Sequence, residues 1–501
     1  LKKAGLLFLI IFLLGAGLRT INLLRPVTLP SWREADICAV ARSYYREGLN
    51  PFYPRIDWRG DGPGYAELEF PFYPWAMALL YKVFGIHETA GRVLAYLFSL
   101  IALAVFMLLA RHLLPPTGAM VAALFYAFNP LNIFVATAIQ PESLMLMWYL
   151  IAGYAFIRWI DEDSVRHYWL AVTATALAIL AKAPAGHIGL FFAALLLWRK
   201  GWRALGEARV WIFGALALLP GVLWYWHAHG LWLKYGNSLG VSNEYHWAGW
   251  DLFTNPYFIK GLVQLELRHV WMLSGAALAI AGLLAGWKEK AVRYSLCWLL
   301  SAGVYYLAAA RTTADAWAFY YHIPSVVPAA LLIGAGFESL RQRAWPGLLT
   351  HRAVTLILLL CVGTTLALEI RQLRVTAAAG DTELYRCATH FAPELRQAGL
   401  ILASGGPCRD ADGYQVAYNA SYFFYWLDRR GFNVCEEEQS LQTVRSFAER
   451  GAVYFIAEKQ ALKKKPGLEA ELRANFPVTA ECDSAVVFQL RAQSAAQRGE
   501  P

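Results

Sequence analysis

The sequence is short of charge. Asp, Glu, Lys and Arg supply only 16% of its 501 residues, where soluble proteins carry about 25%. That scarcity, with 58% hydrophobic and 15% aromatic residues, excludes a disordered chain, a coiled coil and a collagen-like repeat. Seven cysteines in so long a chain exclude a disulfide-dense scaffold. No internal repeat and no low-complexity tract is present. Also missing are a P-loop, a dinucleotide fingerprint and a nucleophile elbow, which disfavours a nucleotide-fed reaction. The net charge is +9. In a chain this apolar, that excess sets membrane topology rather than binding nucleic acid.

What the sequence has instead is long apolar runs. About eleven stretches approach the roughly 20 residues a membrane span needs. They centre on 4–24, 92–112, 117–136, 142–160, 167–184, 185–199, 208–228, 263–286, 291–310, 319–337 and 352–370. The apolar piece at 71–85 is too short to cross upright and is expected to lie along or re-enter the interface. Lys2 and Lys3 precede the first run like a signal peptide, but no small-residue cleavage site follows, so an uncleaved first helix is expected. With those lysines inside, short basic connectors such as Arg199-Lys200 and Lys288 with Lys290 return to the same side. The loop 25–90, the loop near 229–262 and the tail from about 372 then lie outside. The reading is an all-α polytopic bundle (residues 1–371) with interfacial helices in its first outer loop. It ends in a small α/β extracytoplasmic domain (372–501) with strand-like runs at Ala452–Ala457 and Ala485–Leu490.

The cysteines divide along the same boundary. Cys297 and Cys361 fall in spans and Cys38 in the first loop, whereas Cys387, Cys408, Cys435 and Cys482 all fall in the tail. An even number in an oxidising place fits one or two disulfides, with three pairings open.

Scarce acids become informative beside a membrane, where they are costly and usually functional. They crowd the first loop, among them Glu34, Asp36 and Glu69. Asp36 falls at the start of a helical pattern, where the ordinary reading is an acid favoured by the helix dipole. Glu142, after Pro141, opens another span, again an ordinary first-turn place. Both are expected on the outer side, so the two carboxylates could meet there. Lys182 closes a span on that side and suits a lipid phosphate as a point charge, although a lone lysine can also snorkel. Arg311 is a similar cation. Tyr321 and His322 belong to an aromatic cluster whose plain reading is an interfacial belt. Glu69, His246 and His322 are candidate ligands for a divalent metal, without diagnostic spacing.

These pieces, in order, resemble the GT-C superfamily of glycosyltransferases, in the group with protein O-mannosyltransferases and lipid A aminoarabinose transferases. The resemblance covers about residues 1–340. It rests on Trp32-Arg33-Glu34-Ala35-Asp36, Asn50-Pro51-Phe52-Tyr53-Pro54, Asp57-Trp58-Arg59-Gly60 and Glu69-Phe70-Pro71-Phe72-Tyr73-Pro74. Gly91-Arg92, Pro141-Glu142, the Lys182 segment and Tyr321-His322-Ile323-Pro324 follow. It implies transfer of a sugar from a polyprenyl-phosphate carrier to a lipid, glycan or protein acceptor, with inversion, on the periplasmic face of a bacterial inner membrane. It also implies a catalytic base in the first loop. Where the family has an adjacent Asp-Glu pair, this chain reads Arg33-Glu34, so the base is Asp36 or Glu34. Asp36 is favoured, because a subgroup reads Trp-Arg-x-x-Asp there. By the same resemblance Glu142 orients the acceptor or the base's helix, Lys182 and Arg311 hold the carrier phosphate, and Glu69 binds a metal in some members. Arg33, Trp32 and Trp58 would line the substrate, the indoles stacking on sugar. Two other classes remain on sequence alone. One is a non-catalytic scaffold subunit of a membrane complex. The other is a transporter or flippase of a lipid-linked sugar, which should show repeats and charges at the midplane.

Overall fold

A computed structural model describes residues 2–28, 32–241, 246–342, 351–378, 383–409, 413 and 421–491. The chain forms two compact units. The first comprises Leu1–Arg25, Thr89–Tyr225 and His246–Ala377, and the second Pro26–Glu88, Trp226–Tyr245 and Ala378–Pro501. A single cut near residue 371 is therefore not how the contacts divide. The first loop and the segment Trp226–Tyr245 group with the tail.

The first unit is helical. Among the described residues, five helices are long and apolar enough to cross a membrane: Glu88–Leu113, Glu142–Glu162, Ala208–Tyr235, Pro256–Leu284 and Ala316–Gln342. Shorter apolar helices include Gly5–Leu18, Pro116–Phe128, Val165–Ala181 and Leu359–Leu368. This is a multi-pass membrane protein. Helix Ile323–Gln342 is the axis of the unit, buried on every side from Ile323 to Glu338. Glycines let its neighbours approach backbone to backbone. A Cβ on Gly334 would sit 2.5 Å from the Gly118 carbonyl oxygen, and one on Gly336 would sit 1.8 Å from that of Leu278. At the other extreme, only 22% of the apolar window of Ala208–Tyr235 is buried. Trp211, Val222 and Trp226 stand exposed there, as lipid-facing residues do.

Two expected spans are broken. The run 117–136 stops at Phe128 and restarts at Pro130, because proline cannot continue the helix before it. The Asn129 side chain caps the restart by accepting from the Leu131 and Asn132 amides. The run 263–286 is interrupted by a π-helical turn, Glu266–Trp271, after which Met272 takes a φ of 53°. Such turns gather at functional sites.

The second unit joins the first loop to an α/β domain. Helix Trp32–Glu47 is buried continuously from Arg33 to Tyr44, which is unusual for a stretch so rich in charge. The piece expected to be too short to span is helix Phe72–Phe84, of 13 residues, roughly 20 Å long. The segment after Trp226 is stitched to the loop, with the Glu67 amide donating to Asn237 O at 2.9 Å and the Leu239 amide to Glu67 O at 2.8 Å.

Among the described residues of the tail, five strands form one mixed sheet: β1 (Leu400–Ser404), β2 (Gly431–Val434), β3 (Ala452–Glu458), β4 (Val478–Glu481) and β5 (Ala485–Gln489), in the order β2-β1-β3-β5-β4. β1 runs parallel to β2 and β3, while β5 is antiparallel to β3 and β4. Alternate residues feed two cores. Ile401, Tyr454, Ile456 and Val487 join one, and Leu402, Phe455, Val486 and Phe488 the other, the two-residue period of strands packed on both faces. The pairing that spacing left open is settled: Cys387 bonds Cys482 and Cys408 bonds Cys435.

Candidate active site

The sequence candidates fall into two constellations, one in each unit. Asp36 belongs to the second unit and the Glu142–Lys182 pair to the first.

In the second unit Asp36 sits in the first turns of helix Trp32–Glu47 and is 1% exposed. Its Oδ1 accepts a hydrogen bond from Trp58 Nε1 at 3.0 Å. Its Oδ2 is buried with no hydrogen-bond partner among the described residues. Burial pushes the carboxyl up to about 7, against the Trp58 hydrogen bond and the Arg33 charge that favour ionisation, while Asp57 adds to the rise. A buried carboxylate with one engaged oxygen, protonating near neutrality, has the form of a general base. Trp58 therefore serves the carboxylate by hydrogen bonding rather than only offering a face to sugar.

Arg33 pairs with Glu69 and donates from Nη1 to Leu239 O at 2.9 Å. Its guanidinium lies 5.9 Å from the centroid of the Trp32 ring. The residue that departs from the family pattern is thus a strut inside the second unit. Glu34 is buried beside it on the same helix. Glu69 is engaged by that arginine, and His246 by Asp251 at 2.9 Å. The two metal candidates also fall in different units. Among the described residues, the one cluster with ligand-like spacing is Cys408, Cys435 and Glu437, whose sulfurs are already joined to each other.

In the first unit Glu142 opens its helix and Lys182 caps Val165–Ala181. The two form a buried ion pair. The ammonium also lies 4.2 Å from the centroid of Tyr321 and 5.2 Å from that of Tyr320, a half-cage of ring faces that favours a cation. Glu142 Oε2, like Asp36 Oδ2, is buried without a hydrogen-bond partner among the described residues. Arg311 is near this level in sequence and is tied by its amide to Trp247 O at 3.2 Å.

His322 is fully buried and bonds elsewhere. Its Nε2 donates to Thr313 O at 2.8 Å and its Nδ1 faces Glu266 Oε1 at 2.7 Å. Tyr306 and Trp271 also donate to Glu266, each at 2.7 Å, and Tyr306 bonds Ser325 at 2.5 Å. Glu266 was missed by sequence reasoning. Its signal was there, as an acid within an otherwise apolar run.

With this geometry in view, known proteins can be set beside the chain. Residues 63–226 match the family described as dolichyl-phosphate-mannose-protein mannosyltransferase. That range holds Glu69, Glu142 and Lys182, but not Asp36. The structure of ArnT from Cupriavidus metallidurans bound to undecaprenyl phosphate superposes with a TM-score of 0.65, covering 97% of this chain and 98% of that one. The chain has the GT-C glycosyltransferase fold. Identity with ArnT is only 14%, so this likeness is one of fold. The same GT-C fold relates the chain to the archaeal oligosaccharyltransferase AglB from Archaeoglobus fulgidus, in complex with an inhibitory peptide and a dolichol-phosphate. That match has a TM-score of 0.54 at 12% identity, over 90% of this chain and 69% of that one. A protein of unstated function from Aquifex aeolicus is 31% identical over 134 residues, and the match spans about a quarter (26%) of its length.

Proposed function

We propose that the chain is an integral-membrane glycosyltransferase that moves a sugar from a polyprenyl-phosphate carrier to a hydroxyl of a lipid, glycan or protein acceptor. The single observation that carries this reading is Asp36, a buried carboxylate held by one indole N–H, with its other oxygen unpartnered and its protonation near neutral. In this reading Asp36 Oδ2 takes the proton of the acceptor hydroxyl as its oxygen attacks C1 of the sugar. The C1–O bond to the carrier breaks, the phosphate leaves with that electron pair, and a single displacement inverts C1. Lys182 stabilises the charge gathering on the phosphate. An ammonium has three donors; Glu142 takes one and fixes the lysine's direction, and Tyr320 and Tyr321 steady the cation from the side.

The reading places the multi-pass protein in a bacterial inner membrane, with Asp36 and the tail on the periplasmic side. Two features support that orientation. Short basic connectors fall on one side of the expected topology. The tail's four cysteines form two disulfides, which persist in oxidising compartments.

The test is transfer in vitro from a polyprenyl-phosphate sugar, with the acceptor drawn from envelope lipids, glycans and peptides. Asp36→Asn should lose turnover by roughly 10²- to 10⁴-fold while still binding the carrier. Full turnover in that variant would remove Asp36 as the base. Carrier binding without transfer by the wild-type protein, over all acceptor classes, would favour a scaffold.

A further inference from the structure

The Asp36 carboxylate owes its orientation to a turn that is built onto the C-terminal domain. Residues 57–60 form that turn. Trp58 makes the one hydrogen bond that Asp36 receives among the described residues, at 3.0 Å. Next to it, Asp57 is 4% exposed and pairs with Arg42. Arg42 lies on the same helix as Asp36. Helix and turn are therefore joined twice, through two consecutive turn residues, which fixes how the indole presents its N–H.

The turn is fastened from the other side as well. The Gly431 amide donates to Asp57 O at 3.1 Å, and the Gly60 amide donates to Gly431 O at 2.6 Å. Gly431 begins β2, where a Cβ would lie 1.7 Å from Ile401 O, and Gly60 has a φ of 61°, where a Cβ would lie 2.5 Å from the Phe432 ring. Both places accept only glycine. Arg42 reaches the same domain. It donates to Tyr425 O at 3.1 Å, pairs with Asp428 at 3.0 Å and lies 5.1 Å from the centroid of the Tyr425 ring. All of these groups belong to the second unit.

We infer that Trp58 is a positioning residue for Asp36, held in place by the Arg42–Asp57 pair, and that the C-terminal domain serves transfer by completing this clamp. The inference rests on the assignment of Asp36 as base. A carboxylate with one N–H bond can turn about its side-chain torsions unless that donor is immobile. Fixing the indole keeps Oδ1 engaged and Oδ2 directed to one place, which is what proton abstraction at a defined hydroxyl needs.

The clamp makes a prediction that a merely structural stitch does not. The groups acting on the Asp36 charge are Arg33 from its own helix, and Trp58 and Asp57 from the turn. The helices packed on it, Phe72–Phe84 and Ser421–Trp426, bring Tyr81 and Tyr425, both pushed up by burial and so neutral throughout. Removing the Trp58 N–H takes away a bond that favours the ionised carboxylate. Removing the Asp57 charge takes away a repulsion that opposes it. The two changes move the acid limb of the pH–rate profile in opposite directions.

The experiment uses the full-length protein in detergent with a polyprenyl-phosphate sugar, from pH 5 to pH 9. Trp58→Phe should lower kcat by roughly 10- to 100-fold, leave carrier KM unchanged and move the acid limb up by about one pH unit. Asp57→Asn should move it down. Arg42→Lys, which keeps the charge but loses the fork, should retain more kcat than Arg42→Gln. Wild-type kcat in Trp58→Phe, or a fall in kcat with both limbs unmoved, overturns the inference. If Trp58→Phe no longer binds carrier, the Arg42 variants decide: greater kcat in Arg42→Lys than in Arg42→Gln, with carrier KM unchanged, upholds the clamp, and equal kcat in the two overturns it. Asp36→Asn in the same assay separates the two levels. If it is inactive while the clamp variants keep the wild-type profile, only the clamp fails. If it is active, the base assignment fails.

Discussion

Two buried carboxylates invite comparison. Glu142 in the first unit and Asp36 in the second each engage one oxygen and leave the other without a hydrogen-bond partner among the described residues. They differ in what engages them. Glu142 is bonded to an ammonium, Lys182, under two tyrosine faces. Asp36 is bonded to a neutral indole N–H, and the arginine whose charge acts on it, Arg33, bonds Glu69 and Leu239. The first arrangement is a charge-balanced clamp suited to presenting a cation. The second, on the proposed reading, is a proton acceptor, because burial, with the Asp57 charge adding to it, raises its affinity for a proton and no ion pair among the described residues cancels that rise. On the proposed reading, one fold uses the same functional group for two tasks by choosing its partner.

The difference can be broken at several points. The largest effect should come from Asp36→Asn, with transfer reduced by roughly 10²- to 10⁴-fold and carrier affinity retained. Glu142→Gln should reverse that pattern by leaving Lys182 buried without its counter-charge. Breaking such a pair costs about 3–5 kcal/mol, read as a lower melting temperature together with weaker carrier binding. An Asp36-like loss of turnover with unchanged stability would make Glu142 a second proton carrier.

Next comes reduction. The two disulfides lie in the second unit, with sequence separations of 95 and 27. Loop entropy assigns about 4.7 kcal/mol to the longer and about 3.6 kcal/mol to the shorter. Dithiothreitol should therefore raise hydrogen exchange across β1–β5 and spare helix Ile323–Gln342. Equal loosening of both would show the units to be one cooperative body.

The smallest effect concerns pH and stability. The folded Asp36 carboxyl protonates near 7 rather than at its ordinary 3.8. Folding therefore binds a proton between those values, and the charged form is what the fold pays for. Stability should fall as pH rises through this window. Asp36→Asn should melt a few degrees above wild type at pH 8, with the gap shrinking towards pH 5. A gap independent of pH would contradict the burial argument.

Much of this was legible in the sequence, for physical reasons. Twenty-residue apolar runs have few alternatives to spanning helices, and the helices lie where the runs do. The acids at 36 and 142 and the lysine at 182 were conspicuous because charge is scarce in such a chain. Less legible was anything set by partners distant in sequence. Trp58 looked like a sugar-stacking ring, and only the fold brings its N–H to Asp36. Glu69 looked like a metal ligand, and only the fold gives it Arg33. His322 looked like part of a belt, and only the fold buries it against Glu266. Strands β1, β2 and β4 were also missed, since four or five residues carry too short a pattern to separate from a loop or a helix end. The breaks at Pro130 and Met272 differ: the first was written in the proline, while the second ends a turn that starts at Glu266, whose partners Tyr306 and His322 are distant in sequence.

The most direct test of Asp36 as the base is the pH dependence of kcat/KM for wild type and Asp36→Asn between pH 5 and pH 9. The account predicts that wild-type kcat/KM climbs about tenfold per unit and levels near pH 7, where the Asp36 carboxyl gives up its proton, and that the variant's residual rate is flat across the range. A limb that survives in Asp36→Asn would contradict it, because another group would then be carrying the proton.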